Sequence, residues 1–441
     1  MGAAHSRLLP ERQSLSLTSL PENVLMEIFS RLPAHPAFLR CISLTCKEFH
    51  QIVVNPDFLR LFRAHHRDTP PLVGFIRNQS PRFFPTIGGA VVQYDPDRVV
   101  AGAGALELDD ADWIVLGCRH GRVLLQCPER RYLLVVDPMV GRREYIDAPS
   151  WYRLRHSSTA VLICSPCHGD HGDCRSRPFR IVFVYFSVAF MTSISIYSSQ
   201  TDQWVKFQTP RLPGPLPLPN PIDTSRPSIL IGNVLYLFTI FTTVLCFNVD
   251  TQERHEIPQP PGNHYIERRA VLRVNTLLVA PRDASLGFLS VTSCYLKLWV
   301  SNFTDGVHLQ WTPRWFVSLD ALVPLPEDIA EPTQMPKIRI IGHDEDGNVV
   351  YLWSLAGVFA IHLDEMQSHQ VFSNYQLIHR VYPYKSFFLP PDVEEDLEDQ
   401  EYEEVTDQEF EGKIYFSLIL INPTFFQCTY MPCILSFIIF Q

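Results

Sequence analysis

Five stretches of this chain repeat one theme at intervals of roughly 50 to 60 residues, and that spacing constrains the fold more than any other feature. Each is an apolar strand, a polar turn containing Asp, Ser, Thr or Gly, and a second strand that ends near a polar or Pro-rich loop. They are YLLVVDPMVGRREYIDAP at 132–149, ISIYSSQTDQWVKFQTP at 194–210, VLCFNVDTQERHEIPQP at 244–260, KLWVSNFTDGVHLQW at 297–311 and VFAIHLDEMQSHQVF at 358–372. Radial repeats of about four strands close into a propeller at this period. The stretch from Leu72 to Pro391 holds roughly six or seven such blades.

Two interior segments, 181–197 and 227–249, contain no charged side chain, and length alone makes the second a candidate membrane helix. Both are dense in β-branched and aromatic residues, and the turn dipeptide Gly232-Asn233 breaks the second, so each reads as a buried strand pair. With 46% hydrophobic and 12% aromatic residues, and 36 Pro against 20 Gly, the composition excludes a wholly disordered chain and argues against an all-helical one.

The formal charge of -10 is local in origin. Residues 392–411 hold 12 acidic and no basic side chains, which leaves the rest of the chain at +2. A nearly neutral body without a basic run argues against nucleic-acid binding, which needs clustered Lys and Arg to replace phosphate counterions. Eleven cysteines, and no apolar segment suited to secretion at the N-terminus, place the chain in a reducing compartment, the cytoplasm and/or nucleus.

Residues 18–62 differ from the rest, being helical in period and rich in Leu. Pro21 presets a first helical turn; Val24, Leu25, Ile28, Phe29 and Leu32 form one apolar stripe; Pro33 and Pro36 end that helix. A second run carries Phe38, Leu39, Ile42 and Leu44, a third Cys46, Phe49, Ile52 and Val53, and Asn55-Pro56-Asp57 opens a last helix with Phe58, Leu59 and Phe62. Leu25, Phe29 and Ile52 are expected in the core. A module of about 45 residues is small for independent folding, so part of its apolar surface should meet a partner.

Leu20-Pro21, Ile28-Phe29-Ser30-Arg31-Leu32, Cys46-Lys47-Glu48-Phe49 and Asp57-Phe58 follow in the order and spacing of an F-box, which this module resembles. Phe49 stands where the family usually has Trp. The resemblance implies a Skp-type adaptor as partner, bridged to a cullin scaffold, with Leu20, Pro21, Ile28, Leu32, Cys46 and Phe49 bearing on the adaptor groove or supporting its contacts. The body is similar to plant F-box proteins of the grass type, through Gly117 to Leu125, Val136-Asp137-Pro138, Pro178 to Val184, Asp344 to Val350 and Tyr382 to Phe388. The fold expected is thus a small all-α F-box module followed by an all-β, propeller-like domain. The function implied is a non-catalytic substrate receptor of an SCF-type ubiquitin ligase with an unknown protein target. A ligand-binding or enzymatic propeller and a tail-anchored membrane protein stand as alternatives.

No P-loop, G-x-S-x-G, H-E-x-x-H or dinucleotide fingerprint occurs, and no cofactor is expected. Cys164, Cys167, His171 and Cys174, with His168 alongside, have a spacing at which four ligands could surround zinc. The segment is rich in Ser, Pro, Gly and Asp between two expected strands, so an ordinary loop without metal is expected. The domains expected are a disordered leader 1–17, the F-box 18–62, the β body 63–391, an acidic linker 392–413 and an apolar tail 414–441. Met1-Gly2-Ala3-Ala4-His5-Ser6 fits a myristoylation consensus but reads as unstructured leader. The tail is uncharged yet interrupted by Pro423 and Pro432, and its abrupt change of composition after Gly412-Lys413 reads as translated intron sequence.

Overall fold

The computed structural model describes residues 20–387, apart from 68–69, 79–80, 82, 88–89, 92–107, 109–111, 153–156, 165–173, 175–176, 187–191, 208–220, 225, 241–242, 262–274, 282–285, 293–294, 305–307, 325–337, 346–347 and 373–379. The leader, the acidic run, the apolar tail and the pair Cys167 and His171 lie outside the described residues. Contacts divide the rest into a helical unit reaching Pro70, which also takes in Phe387, and a β unit over Pro71–Ser386.

The helical unit contains α1 (Glu22–Ser30), α2 (Pro36–Ser43), α3 (Lys47–Val54) and α4 (Pro56–His65). Pro36 does not end the first helix. It opens the second at its first position, behind a His35 side chain whose Nδ1 accepts the Ala37 N–H at 3.2 Å. Asn55 caps α4 as expected, its Oδ1 accepting from Asp57 N–H at 2.8 Å, and α4 runs three residues past Phe62.

The β unit contains β1 (Leu72–Arg77), β2 (Phe83–Ile87), β3 (Ala90–Val91), β4 (Ile114–Arg119), β5 (Arg122–Gln126), β6 (Tyr132–Asp137), β7 (Arg142–Asp147), β8 (Ser157–Cys164), β9 (Phe179–Phe186), β10 (Thr192–Ser198), β11 (Gln203–Phe207) and β12 (Ile229–Ile231). It continues through β13 (Val234–Phe238), β14 (Thr243–Asn248), β15 (Arg254–Pro258), β16 (Thr276–Val279), β17 (Gly287–Thr292), β18 (Tyr295–Thr304), β19 (His308–Ser318), β20 (Ile338–Asp344), β21 (Val349–Ser354), β22 (Gly357–His362), β23 (Gln367–Phe372) and β24 (Val381–Lys385). They form six four-stranded antiparallel sheets, so the propeller has six blades, the lower of the two expected numbers. Five are meanders of consecutive strands; the sixth has the order β24-β1-β2-β3, with both ends of the unit in one sheet.

Each junction between blades has its own apolar core. Leu124 and Val135 pack with Leu162 and Phe183, Val161 and Val184 with Leu235 and Phe247, and Phe238 and Val244 with Leu278 and Phe288. Leu289 and Leu298 pack with Val350 and Phe359, Ile341 and Tyr351 with Phe75, and Ile76 with Val115, Val123 and Tyr384. An inner strand therefore buries both faces, and β5, β16 and β21 are buried at every position. That is the physical reason segments 181–197 and 227–249 imitate membrane spans. They hold β9 and β10, and β12 to β14, the second being three strands rather than a pair, and Gly232 turns the chain at φ 58°. Among the described residues no helix is long and apolar enough to cross a membrane. The outer strands β7 and β15 are largely exposed and polar, which discourages pairing with other chains.

The five sequence repeats are the third and fourth strands of the five meander blades. In four of them the closing turn is alike: the N–H of Gly141, Asp202, Gln252 or Met366 bonds to the carbonyl four residues earlier, at 2.8 to 2.9 Å, and that residue has φ between 51° and 72°. At the seam between β20 and β24, a Cβ on Gly342 would lie 2.6 Å from the Val381 carbonyl oxygen. Gly342→Ala is expected to push β24 outward and cost about 1–3 kcal/mol, read as a lowered thermal midpoint with the blade topology retained.

Candidate functional site

The helical unit is built around Leu25, Phe29, Leu39, Phe49, Ile52, Val53, Phe58 and Phe62, all buried. Phe29 and Phe49 meet edge to face with centroids 5.1 Å apart, so the position where the F-box pattern has Trp is filled by a core ring. Ser43 Oγ lies 2.7 Å from His50 Nδ1 and ties α2 to α3, and the His66 ring reaches the Leu32 carbonyl at 2.9 Å beyond the end of α1. Burial holds His66 below the ordinary imidazole pKa, partly offset by that carbonyl, so the ring is neutral near pH 7.

The six residues expected at the adaptor groove separate by exposure. Pro21 is exposed; Leu20, Ile28, Leu32 and Cys46 are half-buried against the core; Phe49 is 6% exposed and sits within it. Phe49 packs its ring on Phe29 and so joins α3 to α1. Three apolar residues of this unit outside that set are exposed: Val24 at 38%, Leu44 at 45% and, on α4, Leu61 at 41%. Val24 lies four residues before Ile28, so the two share one stripe of α1, which follows the N-cap residue Pro21 and runs beside the stripe of Leu25 and Phe29 that faces the core. The apolar stripe read from the sequence is thus two adjacent stripes, one buried at Leu25 and Phe29, the other with Val24 exposed and Ile28 half-buried. The helical spacing of Val24 and Ile28 was the available signal.

In the β unit, β20 adjoins β24, β24 adjoins β4 and β4 adjoins β8. Lys385 Nζ lies 2.6 Å from Asp344 Oδ2, and Arg119 pairs with Glu345, which gathers the C-terminal ends of β4, β20 and β24 on one face. Cys164 and Cys174 of the metal-type pattern are both buried at the end of β8 and before β9, and their neighbour is His120, in the β4–β5 turn. The sequence pattern did not include His120.

A model of the F-box domain matches residues 17–61. A second model, described as F-box protein AT5G49610-like, beta-propeller, matches residues 114–391, more than half of the chain. The chain belongs to this F-box β-propeller family. The F-box match ends within α4, and the propeller match begins at the first residue of β4. β1 to β3, which share the sixth blade with β24, precede the matched region.

No curated protein matches this F-box protein significantly. Among solved structures it is similar at TM-score 0.39 and 10% identity to a nidogen/laminin complex, covering 70% of this chain and 95% of that one. A protein of unknown function from Bacteroides caccae gives 0.38 and 8%, covering 72% and 100%. Apo AztD from Citrobacter koseri gives 0.37 and 10%, covering 72% and 99%. Likenesses this distant carry no argument about function.

Proposed function

We propose that this protein is the substrate-recruiting subunit of an SCF-type ubiquitin ligase, its F-box binding a Skp-type adaptor, and through it a cullin scaffold, while the propeller binds a target protein. The observation that carries the reading is the pairing in one chain of an F-box, matched over 17–61, with a six-bladed propeller. In this role the chain catalyses nothing. It raises the effective concentration of the target's lysines near a ubiquitin-charged enzyme carried by the rest of the complex. Such work belongs in the cytoplasm or nucleus, where thiols stay reduced. The motifs at Gly117 to Leu125 and Tyr382 to Phe388 support the narrower kinship with grass-type plant members.

Val24 and Ile28 on α1, with Leu20 and Pro21 before it, supply the apolar edge for the adaptor, and Leu44 and Cys46 at the α2–α3 junction add to it. Leu32 and Phe49 support those contacts from behind. Exposed apolar residues grouped on a small module are what a partner groove takes up. Replacing Leu20 with Ala and Pro21 with Ser together, or Val24 with Asp alone, is expected to reduce co-purification with the adaptor by about tenfold or more, on the order of the 1.4 kcal/mol that a tenfold change represents. Circular dichroism and the melting transition of the β unit should be unchanged. Undiminished adaptor binding by both variants would falsify this assignment.

A further inference from the structure

His120, Cys164 and Cys174 bring one imidazole nitrogen and two sulfurs within 4.8 Å of one another. Ligands around a tetrahedral zinc with bonds of about 2.0–2.3 Å stand about 3.3–3.8 Å apart, so small side-chain rotations close the three onto one ion. We propose that these side chains bind Zn²⁺ and that the ion clips the blade of β4 to β7 to the blade of β8 to β11.

The backbone supports the imidazole's placement. His120 and Gly121 form the two-residue β4–β5 turn, between the paired residues Arg119 and Arg122, with φ of 52° and 74°. Such a turn favours Asn, Asp or Gly at its first position, and His there holds a conformation disfavoured for most side chains. The turn is also fixed in place: the buried Tyr384 hydroxyl donates to the Gly121 carbonyl at 3.2 Å.

The thiols are held by the same hairpin. Cys164 ends β8, opposite Phe179 of β9. The Cys174 carbonyl accepts from Arg177 N–H at 3.3 Å, and the Arg177 carbonyl accepts from Arg122 Nη2 at 2.8 Å. Arg122 also lies over the Phe179 ring, 4.8 Å from its centroid. One residue of β5 thus fastens the segment carrying Cys174 beside the turn carrying His120. The Arg122 guanidinium is within electrostatic reach of both sulfurs. Two thiolates neutralise a divalent ion, and two sulfurs with one imidazole are the soft and borderline donors that suit zinc over calcium or magnesium. The ligand completing the proposed site lies 44 residues upstream of Cys164, outside the segment read from the sequence.

The test uses the full chain co-purified with its adaptor under reducing conditions, equilibrated with zinc, freed of excess by gel filtration and measured for metal by elemental analysis. About one zinc per chain is expected. Cys174→Ser should lower that content at least about tenfold, as should His120→Asn, which removes the ligand yet suits the turn's positive φ. Cobalt substituted for zinc should show sulfur-to-metal charge transfer in the parent that weakens in Cys174→Ser. Folded parent protein without zinc, zinc content indifferent to His120→Asn, or a Cys164–Cys174 disulfide in place of metal would each overturn the proposal.

Discussion

Ending the chain after Arg380 is expected to abolish a stable propeller, whereas ending it after Pro391 leaves the fold intact. The difference between the two truncations includes β24, which supplies the strand of the sixth blade next to β4 and β20 and pairs with β1 from Leu72↔Lys385 to Arg77↔Val381. Val381 belongs to the core shared with Phe75 and Ile341, and the fully buried Tyr384 to the core shared with Ile76, Val115 and Val123. Loss of β24 therefore opens two blade junctions at once and removes the Lys385–Asp344 ion pair. Deleting one large buried ring costs about 3–5 kcal/mol, a large part of the roughly 5–15 kcal/mol that holds a typical domain folded. An entire inner strand exceeds that margin. Far-UV circular dichroism and limited proteolysis of both truncations decide the matter: a cooperative melt in the shorter chain would show that the ring does not depend on its closing strand.

Arg226→Met is expected to destabilise the β unit by about 3–5 kcal/mol, the range for removing one partner of a buried ion pair. Arg226 and Asp223 both have side chains 5% exposed, and the guanidinium Nε donates to Asp223 Oδ2 at 3.0 Å. Its other nitrogens donate to Thr276 Oγ1 at 3.0 Å and the Thr239 carbonyl at 3.1 Å, while its carbon stands 3.6 Å from the centre of the Phe238 ring. One side chain so joins the blade of β12 to β15 to β16 of the next. Methionine fills much of the volume and makes none of these bonds, leaving the Asp223 carboxylate buried without its guanidinium. Arg226→Lys keeps the charge and loses the planar fork, so it too should fall short of the parent. Adding Asp223→Asn to Arg226→Met should recover part of the loss, because the buried charge goes with it. Thermal or urea melts of these proteins, with Asp223→Asn alone completing the cycle, measure the coupling, and equal stability of parent and Arg226→Met would show that the network contributes nothing.

The helical module was legible, as three or four short helices, because its signals are local: Asn55 caps where capping residues cap, and Leu25, Phe29, Phe58 and Phe62 are buried at helical spacing. The repeats were legible but loose, since the shared feature is a backbone conformation. The turn residue with positive φ is Gly at 141 but Asp, Gln and Met at 202, 252 and 366, so no single residue type marks it. The sixth blade matched none of the five repeats. Its β24 and β1 lie at opposite ends of the unit, and no local pattern records a pairing across that separation.

The sequence by itself determined the F-box, the all-β body and the hairpin period. It did so because caps, periodicity and turn chemistry act over a few residues. Only the tertiary structure decided the number of blades, the separation of Val24 from Leu25 into exposed and buried neighbours, the retreat of Phe49 into the core and the meeting of His120 with Cys164 and Cys174. Each depends on surfaces brought together from distant parts of the chain, where burial is set by what packs on a residue rather than by its neighbours in sequence.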